Sequence, residues 1–430
     1  MKLATSCFCI LCLVIFNPPV SSLAEDTDIE TMRQEIEFLK QRLESMEQRL
    51  QEAERKVAEP KAEKIREEKT EEVAKKEETE NQYNIKIGGA LRVNYAHQSF
   101  SEASESKKGD MAFDIFRLDI DGSYNDLLIS AQYRWYSYQD VIHHGWIGYN
   151  FSEKWQGQLG VTQVPFGLLP YASHNWWFGV PYYVGLEDDY DMGLKLIRSD
   201  GPWDLQMAFF KNEEWGNASK LERYSYDVVR ALGQENEETN QFNLRLAYTF
   251  KHGSFGSTEL GVSGQWGQLY NNTTDDEGDH WAAAAHLNGF YGPFNLMLEA
   301  IRYEYNPENP PGIDNDIIMM GAFADAFPVA AEGSIYVANL SYNFPVDWGP
   351  ITSLTFYDDY SILVKDESDF ENSQINTLGC LISANPVYVY VDLIMGKNMI
   401  YLDGPQDSLA AGNRGHGWHT RFNVNVGYYF

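Results

Sequence analysis

The last thirteen residues of the chain alternate between apolar and polar side chains. They read W-H-T-R-F-N-V-N-V-G-Y-Y-F, from Trp418 to Phe430. Successive side chains of a β-strand point to opposite faces, so this segment predicts a strand with one apolar, aromatic-tipped face and one polar face. Such a strand is typical of a transmembrane β-barrel, which meets lipid on its outside and water on its inside.

Sixteen segments between residues 83 and 430 fit the same interpretation. Their connections form two interleaved sets, of which one is short and rich in turn residues and the other is mostly long. Bacterial barrels combine short periplasmic turns, long extracellular loops and an even number of strands. We therefore predict an all-β fold, a 16-stranded antiparallel transmembrane β-barrel. The predicted strands are 84–95, 113–124, 127–136, 141–151, 154–163, 191–198, 203–210, 241–251, 257–268, 280–290, 293–303, 333–344, 350–360, 374–383, 386–396 and 418–430.

Residues 1–24 have the pattern of a secretory signal peptide. Lys2 precedes an apolar stretch at 7–16, and Ser22-Leu23-Ala24 supplies small residues for cleavage. An apolar stretch of this length is too short to cross a bilayer as a helix. Three of the four cysteines lie in this segment. Only Cys380 would remain in the mature chain, which predicts that the fold has no internal disulfide.

Residues 25–58 show heptad spacing, with oppositely charged residues at all four g–e pairs. This pattern predicts a parallel, in-register coiled coil between copies of the chain. A single amphipathic helix packed against another surface is the alternative. Residues 59–82 are rich in Lys and Glu and predict a charged linker before the barrel domain at 83–430. The a positions are Ile29, Ile36, Leu43, Leu50 and Val57, and the d positions are Met32, Leu39, Met46 and Ala53.

The chain is strongly acidic, with 33 Lys and Arg against 63 Asp and Glu. Residues 83–430 hold 20 basic and 44 acidic side chains, a net charge of −24. This charge argues against a nucleic-acid partner, which requires a basic surface. It also argues against a dedicated anion pore and favours cations or neutral polar solutes.

The long connection after the fifth predicted strand, residues 164–190, is here called the third loop. Its position and length resemble the loop that folds into the barrel of general porins and forms their constriction. The run Val161-Thr162-Gln163-Val164-Pro165-Phe166-Gly167 is similar to the G-x-F-x-x-P-F-G stretch of the phosphate-selective porin O and P family, although Val161 and Thr162 depart from it. The N-terminal coiled coil is similar to that family and to sucrose-type porins. The terminal Phe430 resembles the C-terminal signature of bacterial outer-membrane proteins. These resemblances imply a trimeric outer-membrane porin.

Charged residues suggest how such a pore is lined. If apolar side chains face lipid, five arginines face inward, opposite an acidic cluster at the end of the third loop. This arrangement resembles the eyelet of general porins, and the resemblance implies that the opposed charges orient polar solutes in a constriction. The alternatives are pairing of the arginines with inward Asp119 and Asp121 for stability, and a solvated or divalent-cation-binding role for the acidic cluster. We assign no metal ligand, because no EF-hand spacing is present. The predicted residues are Arg92, Arg117, Arg134, Arg245, Arg421, Glu187, Asp188, Asp189 and Asp191.

The third loop also contains aromatic residues that could stack on sugar rings, or could simply pack against the barrel wall. They are Trp176, Trp177, Phe178, Tyr182 and Tyr183.

We predict from these patterns an outer-membrane porin that passes small polar solutes or ions passively, without a cofactor. The alternatives are a porin selective for saccharides or for phosphate and other anions, a tether to the cell wall, and an outer-membrane enzyme. The histidines, such as the adjacent His143 and His144, form no recognisable catalytic group. The expected partners are membrane lipid, lipopolysaccharide and further copies of the chain, with peptidoglycan as a candidate for the periplasmic coiled coil.

Overall fold

The computed structural model describes residues 83–430 and, N-terminal to them, only Glu37, Lys40, Met46 and Glu47, which are helical and exposed. The predicted signal peptide and linker lie outside the described residues. So does the predicted coiled coil, apart from those four positions. No helix among the described residues is long and apolar enough to cross a membrane.

Sixteen strands of the described chain form one closed antiparallel barrel, as the sequence predicts. Each of these strands pairs with its neighbours along the chain, and the first closes the barrel by pairing with the last. The barrel strands are β1 (Tyr83–Gln98), β2 (Asp110–Tyr124), β3 (Leu127–Trp135), β4 (Asp140–Ser152), β5 (Trp155–Gln163), β6 (Tyr190–Asp200), β7 (Trp203–Glu213), β9 (Asn236–Lys251), β10 (Gly256–Asn271), β11 (Glu277–Tyr291), β12 (Phe294–Asn306), β15 (Glu332–Trp348), β16 (Ile351–Lys365), β17 (Ser373–Ala384), β18 (Val387–Lys397) and β19 (His419–Tyr429).

The two faces of each strand differ in chemistry, as their alternation predicts. On β17, for example, Leu378 is 42% exposed on the outer face, whereas the adjacent Thr377 is 1% exposed on the inner face. Aromatic residues collect on the outside near the short turns, where the Tyr83 and Tyr124 rings stack at 4.4 Å. Such a band of rings is typical of the membrane–water interface.

Connections at one end of the barrel are tight turns. Between β11 and β12, Gly292 adopts a φ of 58°, a left-handed conformation that glycine accepts without strain. The eight connections at the other end are numbered here along the chain. The third loop spans 164–189, because β6 already begins at Tyr190. The fourth loop is 214–235, the sixth is 307–331 and the eighth is 398–418.

The loops contain further structure that the sequence did not predict. Strand β8 (Asp227–Val228) of the fourth loop pairs with β13 (Ile317–Ala322), which forms a hairpin with β14 (Asp325–Ala330) in the sixth loop. Two short helices are also present, α1 (Glu102–Lys107) and α2 (Val180–Tyr183). The small sheet and the third loop share an apolar core with inward side chains of the barrel, such as Ile335 and Leu363, which are fully buried. This part of the lumen is therefore filled with side chains.

Candidate functional site

A cavity of about 1110 Å³ occupies the remaining part of the lumen. Strands β17–β19 and β1–β4 form its wall on one side, and the third loop forms the other. Further side chains come from the first, second, fourth, sixth and eighth loops. The cavity is thus bounded by both the barrel and most of its long connections.

Four of the five predicted pore arginines line this cavity. Two of them are paired with carboxylates of the same wall: Arg92 Nε lies 2.8 Å from Asp114, and Arg117 Nη2 lies 2.7 Å from Asp119. Part of their charge is therefore neutralised locally. Such pairing agrees with the alternative interpretation, in which the arginines bind inward carboxylates and stabilise the barrel. The four arginines are Arg92 on β1, Arg117 on β2, Arg134 on β3 and Arg421 on β19.

Each of these four guanidinium groups also faces an aromatic ring at a distance compatible with a cation–π interaction. The part of the barrel that carries these four arginines is here called the arginine wall. Two of the rings belong to the third loop, so the loop directly approaches the arginine wall. The distances from the guanidinium carbon to the ring centroid are 5.7 Å for Arg92 and Trp176, 4.5 Å for Arg421 and Trp177, 4.3 Å for Arg134 and Tyr224, and 5.5 Å for Arg117 and Tyr429.

The third loop is held against the opposite wall by hydrogen bonds from its backbone. Gly167 N donates to Ser263 Oγ of β10 at 2.8 Å, and Leu168 N donates to Glu299 Oε1 of β12 at 3.0 Å. Farther along, Val180 N donates to Ser361 Oγ of β16 at 2.8 Å. Because these partners lie on strands β10–β16, the loop leaves open only the side of the lumen with the arginine wall.

His174 provides a side-chain link between the third loop and the barrel strands opposite the arginines. Its Nδ1 lies 2.7 Å from Asp359 Oδ1, and its Nε2 lies 2.7 Å from Asn295 Oδ1. Burial lowers the pKa of His174, but the hydrogen bond to Asp359 and its negative charge outweigh that effect and raise the pKa above its ordinary value of 6.5.

Arg245, the fifth predicted arginine, is a buried anchor of the third loop and does not line the cavity. Its Nε donates to the carbonyl oxygen of Gly167 at 2.8 Å. Its two terminal nitrogens reach Asp204 at 2.9 Å and Glu259 at 2.7 Å. Strand parity places this side chain inward correctly, but the start of the third loop covers it.

The predicted acidic residues are divided between two environments. Asp188 lines the cavity and accepts a hydrogen bond from the Tyr224 hydroxyl at 2.5 Å. Burial raises the pKa of Asp188 to about 6, although the Tyr224 hydroxyl and Arg134 both oppose this shift. Glu187, Asp189 and Asp191 are buried and lie outside the cavity lining. Of the four predicted carboxylates, only Asp188 therefore faces the cavity together with the arginines.

The predicted aromatic residues line the cavity to different extents. Trp176 and Trp177 are partly exposed beside the arginine wall. Tyr182 and Tyr183 belong to α2 and are only 5% and 4% exposed, and burial raises the pKa of both hydroxyls well above 10. The two tyrosines are thus surrounded mainly by other side chains of the protein.

Several cavity residues come from loops to which the sequence analysis assigned no role. Tyr224 and Tyr226 come from the fourth loop, Phe323 from the sixth and Tyr401 from the eighth. Only the high aromatic content of residues 83–430 hinted at them. Their meeting depends on how long, irregular connections fold over one another, and alternation along a strand carries no information about that.

The architecture defines the class as a closed sixteen-stranded barrel with an apolar exterior and a third loop folded into the lumen. Solved outer-membrane proteins have a similar fold. The outer membrane channel DcaP of Acinetobacter baumannii matches with a TM-score of 0.55 at 13% identity, covering 82% of this chain and 99% of that chain. The trimer form of OmpT of Vibrio cholerae matches with a TM-score of 0.52 at 12% identity, covering 81% and 99%. No protein-family model and no curated protein matches the sequence.

Proposed function

We propose that the protein is a porin of the bacterial outer membrane that allows small polar solutes to diffuse passively through its lumen. The observation that carries this proposal is the cavity between the arginine wall and the third loop, inside a barrel with an apolar exterior. A barrel that served only as an anchor would need neither sixteen strands nor a large cavity with charged side chains in its lining. DcaP, whose fold is similar, is described as an outer membrane channel.

The charges around the cavity favour neutral polar solutes and cations over anions. Four aspartates line it together with the four arginines, so the lining itself carries no large excess of either sign. The surrounding barrel domain is strongly acidic and raises the local concentration of cations. The four aspartates are Asp114, Asp188, Asp325 and Asp403.

Saccharides are the second candidate class of solute, because aromatic side chains dominate the cavity lining. Aromatic rings pack against the C–H faces of sugars, while nearby hydroxyl and guanidinium groups can bond their hydroxyls. Trp176 and Trp177 lie at the arginine wall, where both kinds of contact are available. A porin selective for phosphate or other anions is the third candidate, and it would rely on the four arginines alone.

Self-association is part of the proposal. The heptads at 25–58 favour a parallel oligomer located in the periplasm, and one solved protein of similar fold, OmpT, is described in a trimer form. We therefore propose a homotrimer in contact with outer-membrane lipid and lipopolysaccharide, with peptidoglycan as a candidate partner of the coiled coil.

A planar lipid bilayer recording of the purified full-length protein tests these points together. We expect stable, water-filled conductance that appears in groups of three equal steps, with a reversal potential in a KCl gradient that indicates cation preference. Absence of conductance would refute the porin function. Strong anion preference would favour the anion-selective alternative, and current block by added sugars would favour the saccharide alternative.

A further inference from the structure

Three aspartates from different parts of the chain converge behind the cavity wall. Asp189 ends the third loop, Asp191 belongs to the start of β6, and Asp227 belongs to β8 of the fourth loop. One carboxylate oxygen of each lies within 4.8 Å of the other two. Their exposed fractions are 8%, 2% and 1%, so bulk water does not screen their mutual repulsion.

Each of these aspartates has an oxygen that the protein leaves without a partner. Asp189 Oδ1, Asp191 Oδ1 and Asp227 Oδ1 are buried and accept no hydrogen bond from any described residue. The second oxygens of two of them are satisfied, by Gln241 for Asp191 and by Arg223 for Asp227. Buried carboxylate oxygens are rarely left in this state, and unpaired ones point to a positively charged ligand.

Positive charge from the protein is too scarce to balance the group. Arg223 is fully buried and lies 3.0 Å from Asp227, 3.6 Å from Glu213 and 3.9 Å from Glu214. Its other nitrogens donate to carbonyl oxygens of the fourth loop. Counting Asp189, Asp191 and the neighbouring Glu238, six carboxylates share one guanidinium among the described residues, and Glu214 Oε2 also lacks a hydrogen-bond partner.

We propose that Asp189, Asp191 and Asp227 form a binding site for a hard divalent cation, with Ca²⁺ as the preferred ion. Ca²⁺ binds six to eight oxygen ligands in flexible geometry, whereas Mg²⁺ requires a nearly ideal octahedron and retains more of its water. Ca²⁺ also accepts irregular sets of carboxylates from separate segments. Glu214, whose Oε2 accepts no hydrogen bond from the described residues, is a candidate for a fourth carboxylate ligand.

The ion would fasten the end of the third loop to the fourth loop. The protein itself joins them here through two side chains of the fourth loop. The Tyr224 hydroxyl donates to Asp188 at 2.5 Å, and Ser225 Oγ accepts from Tyr190 N and donates to Tyr190 O, both at 3.3 Å. A cation held by both loops would add a much stronger link directly beside Asp188, which lines the cavity. The site requires only the folded barrel, so it can exist whether or not the protein conducts.

Calcium titration of the purified full-length protein, first stripped with EDTA, tests the proposal by calorimetry and equilibrium dialysis. The wild type should bind one Ca²⁺ per chain. The double substitution Asp189→Asn with Asp191→Asn should weaken this binding by about tenfold or more, because it removes two ligand charges. Asp276→Asn is the matched control, since it removes an exposed charge from a different loop and should leave the affinity unchanged.

Thermal unfolding separates loss of the site from loss of the fold. Calcium should raise the unfolding temperature of the wild type and of Asp276→Asn but not that of the double variant. In EDTA the double variant should be at least as stable as the wild type, because two repelling charges are gone. No binding by the wild type at millimolar Ca²⁺, or equal binding by the double variant, would overturn the proposal. Bilayer conductance, measured separately, decides the porin function.

Discussion

His174 is the residue whose surroundings specify its protonation state most directly. Asp359 Oδ1 lies against its Nδ1 and Asn295 Oδ1 lies against its Nε2. The orientation of the Asn295 amide is fixed, because its Nδ2 donates to Asn288 Oδ1 and to the Gly289 carbonyl. Both ring nitrogens therefore face acceptors, which only the doubly protonated imidazolium can satisfy.

We expect the pKa of His174 to lie above 6.5 and to fall when Asp359 is replaced by Asn, because the raising hydrogen bond and charge are then weakened. The hydrogen bonds of the charged His174 ring to Asp359 and Asn295 should accordingly stabilise the fold fully below pH 6.5. This contribution should be lost as pH rises through the folded-state pKa of His174. NMR titration of labelled histidine rings in detergent micelles measures this pKa.

Asp358→Asn is the matched control for this titration. It makes the same change at the adjacent position of β16, whose side chain bonds Asn376 instead of the third loop. The pKa of His174 should be unaffected. An equal pKa in wild type and Asp359→Asn would show that the close contact with Asp359 does not govern the titration.

Single residues also show what strand alternation can and cannot predict. Alternation placed Arg92, Arg117 and Arg421 on the inner face, because the period of two is imposed by the backbone itself. It could not distinguish Arg245 from them, since all are inward arginines on strands. The difference arises from the third loop, which covers Arg245 and leaves the others beside the cavity.

The third loop is the element that narrows the lumen. Its Trp177 side chain reaches across to Arg421 on the opposite side of the cavity. Replacing Trp177 by Ala should raise single-channel conductance, because the indole that reaches the arginine wall is removed. The lost cation–π interaction amounts to about 0.5–1 kcal/mol, so the fold should persist. Bilayer recording of the variant provides the measurement.

Trp348→Ala serves as the control for the size of the side chain removed. Trp348 is 60% exposed at the end of β15, far along the chain from the third loop. Its replacement should leave conductance unchanged. If Trp177→Ala conducts no better than this control, the third loop does not limit the current at Trp177.

Elements differ in how well the sequence predicts them. All sixteen barrel strands are found close to their predicted positions, because each has a lipid face and a lumen face and therefore alternates. The extra strands β8, β13 and β14 lack that signal. Residues 317–322 read I-I-M-M-G-A and are buried on both faces, so nothing alternates, and Pro328 in β14 argues against a strand.

The molecule as a whole depends on the contrast between its lipid face and its lumen face. Leu378 and Leu381 lie on opposite faces of β17: the first is exposed outward and the second lines the cavity. Leu378→Arg should destabilise the barrel in lipid vesicles by about 2–4 kcal/mol, the cost of placing a cation near the bilayer midplane. Leu381→Arg should cost less, because its charge enters the cavity inside the barrel and avoids lipid.

Urea unfolding in vesicles compares the two variants directly, since the substitution and the strand are the same. In bilayer recordings, Leu381→Arg should also shift the selectivity toward anions. Equal free energies of unfolding for the two variants would contradict the assignment of the faces.

The arginine wall lies on β19, β1, β2 and β3, around the seam where β1 pairs with β19. At that seam Asn94 Nδ2 donates to Asn423 Oδ1, 329 residues away. Contacts between such distant residues must close the longest stretch of chain, so we expect them to form late during folding. The charged face is therefore finished only when the barrel is. An unfinished intermediate would lack this face, so we expect only complete molecules to acquire the proposed permeation path.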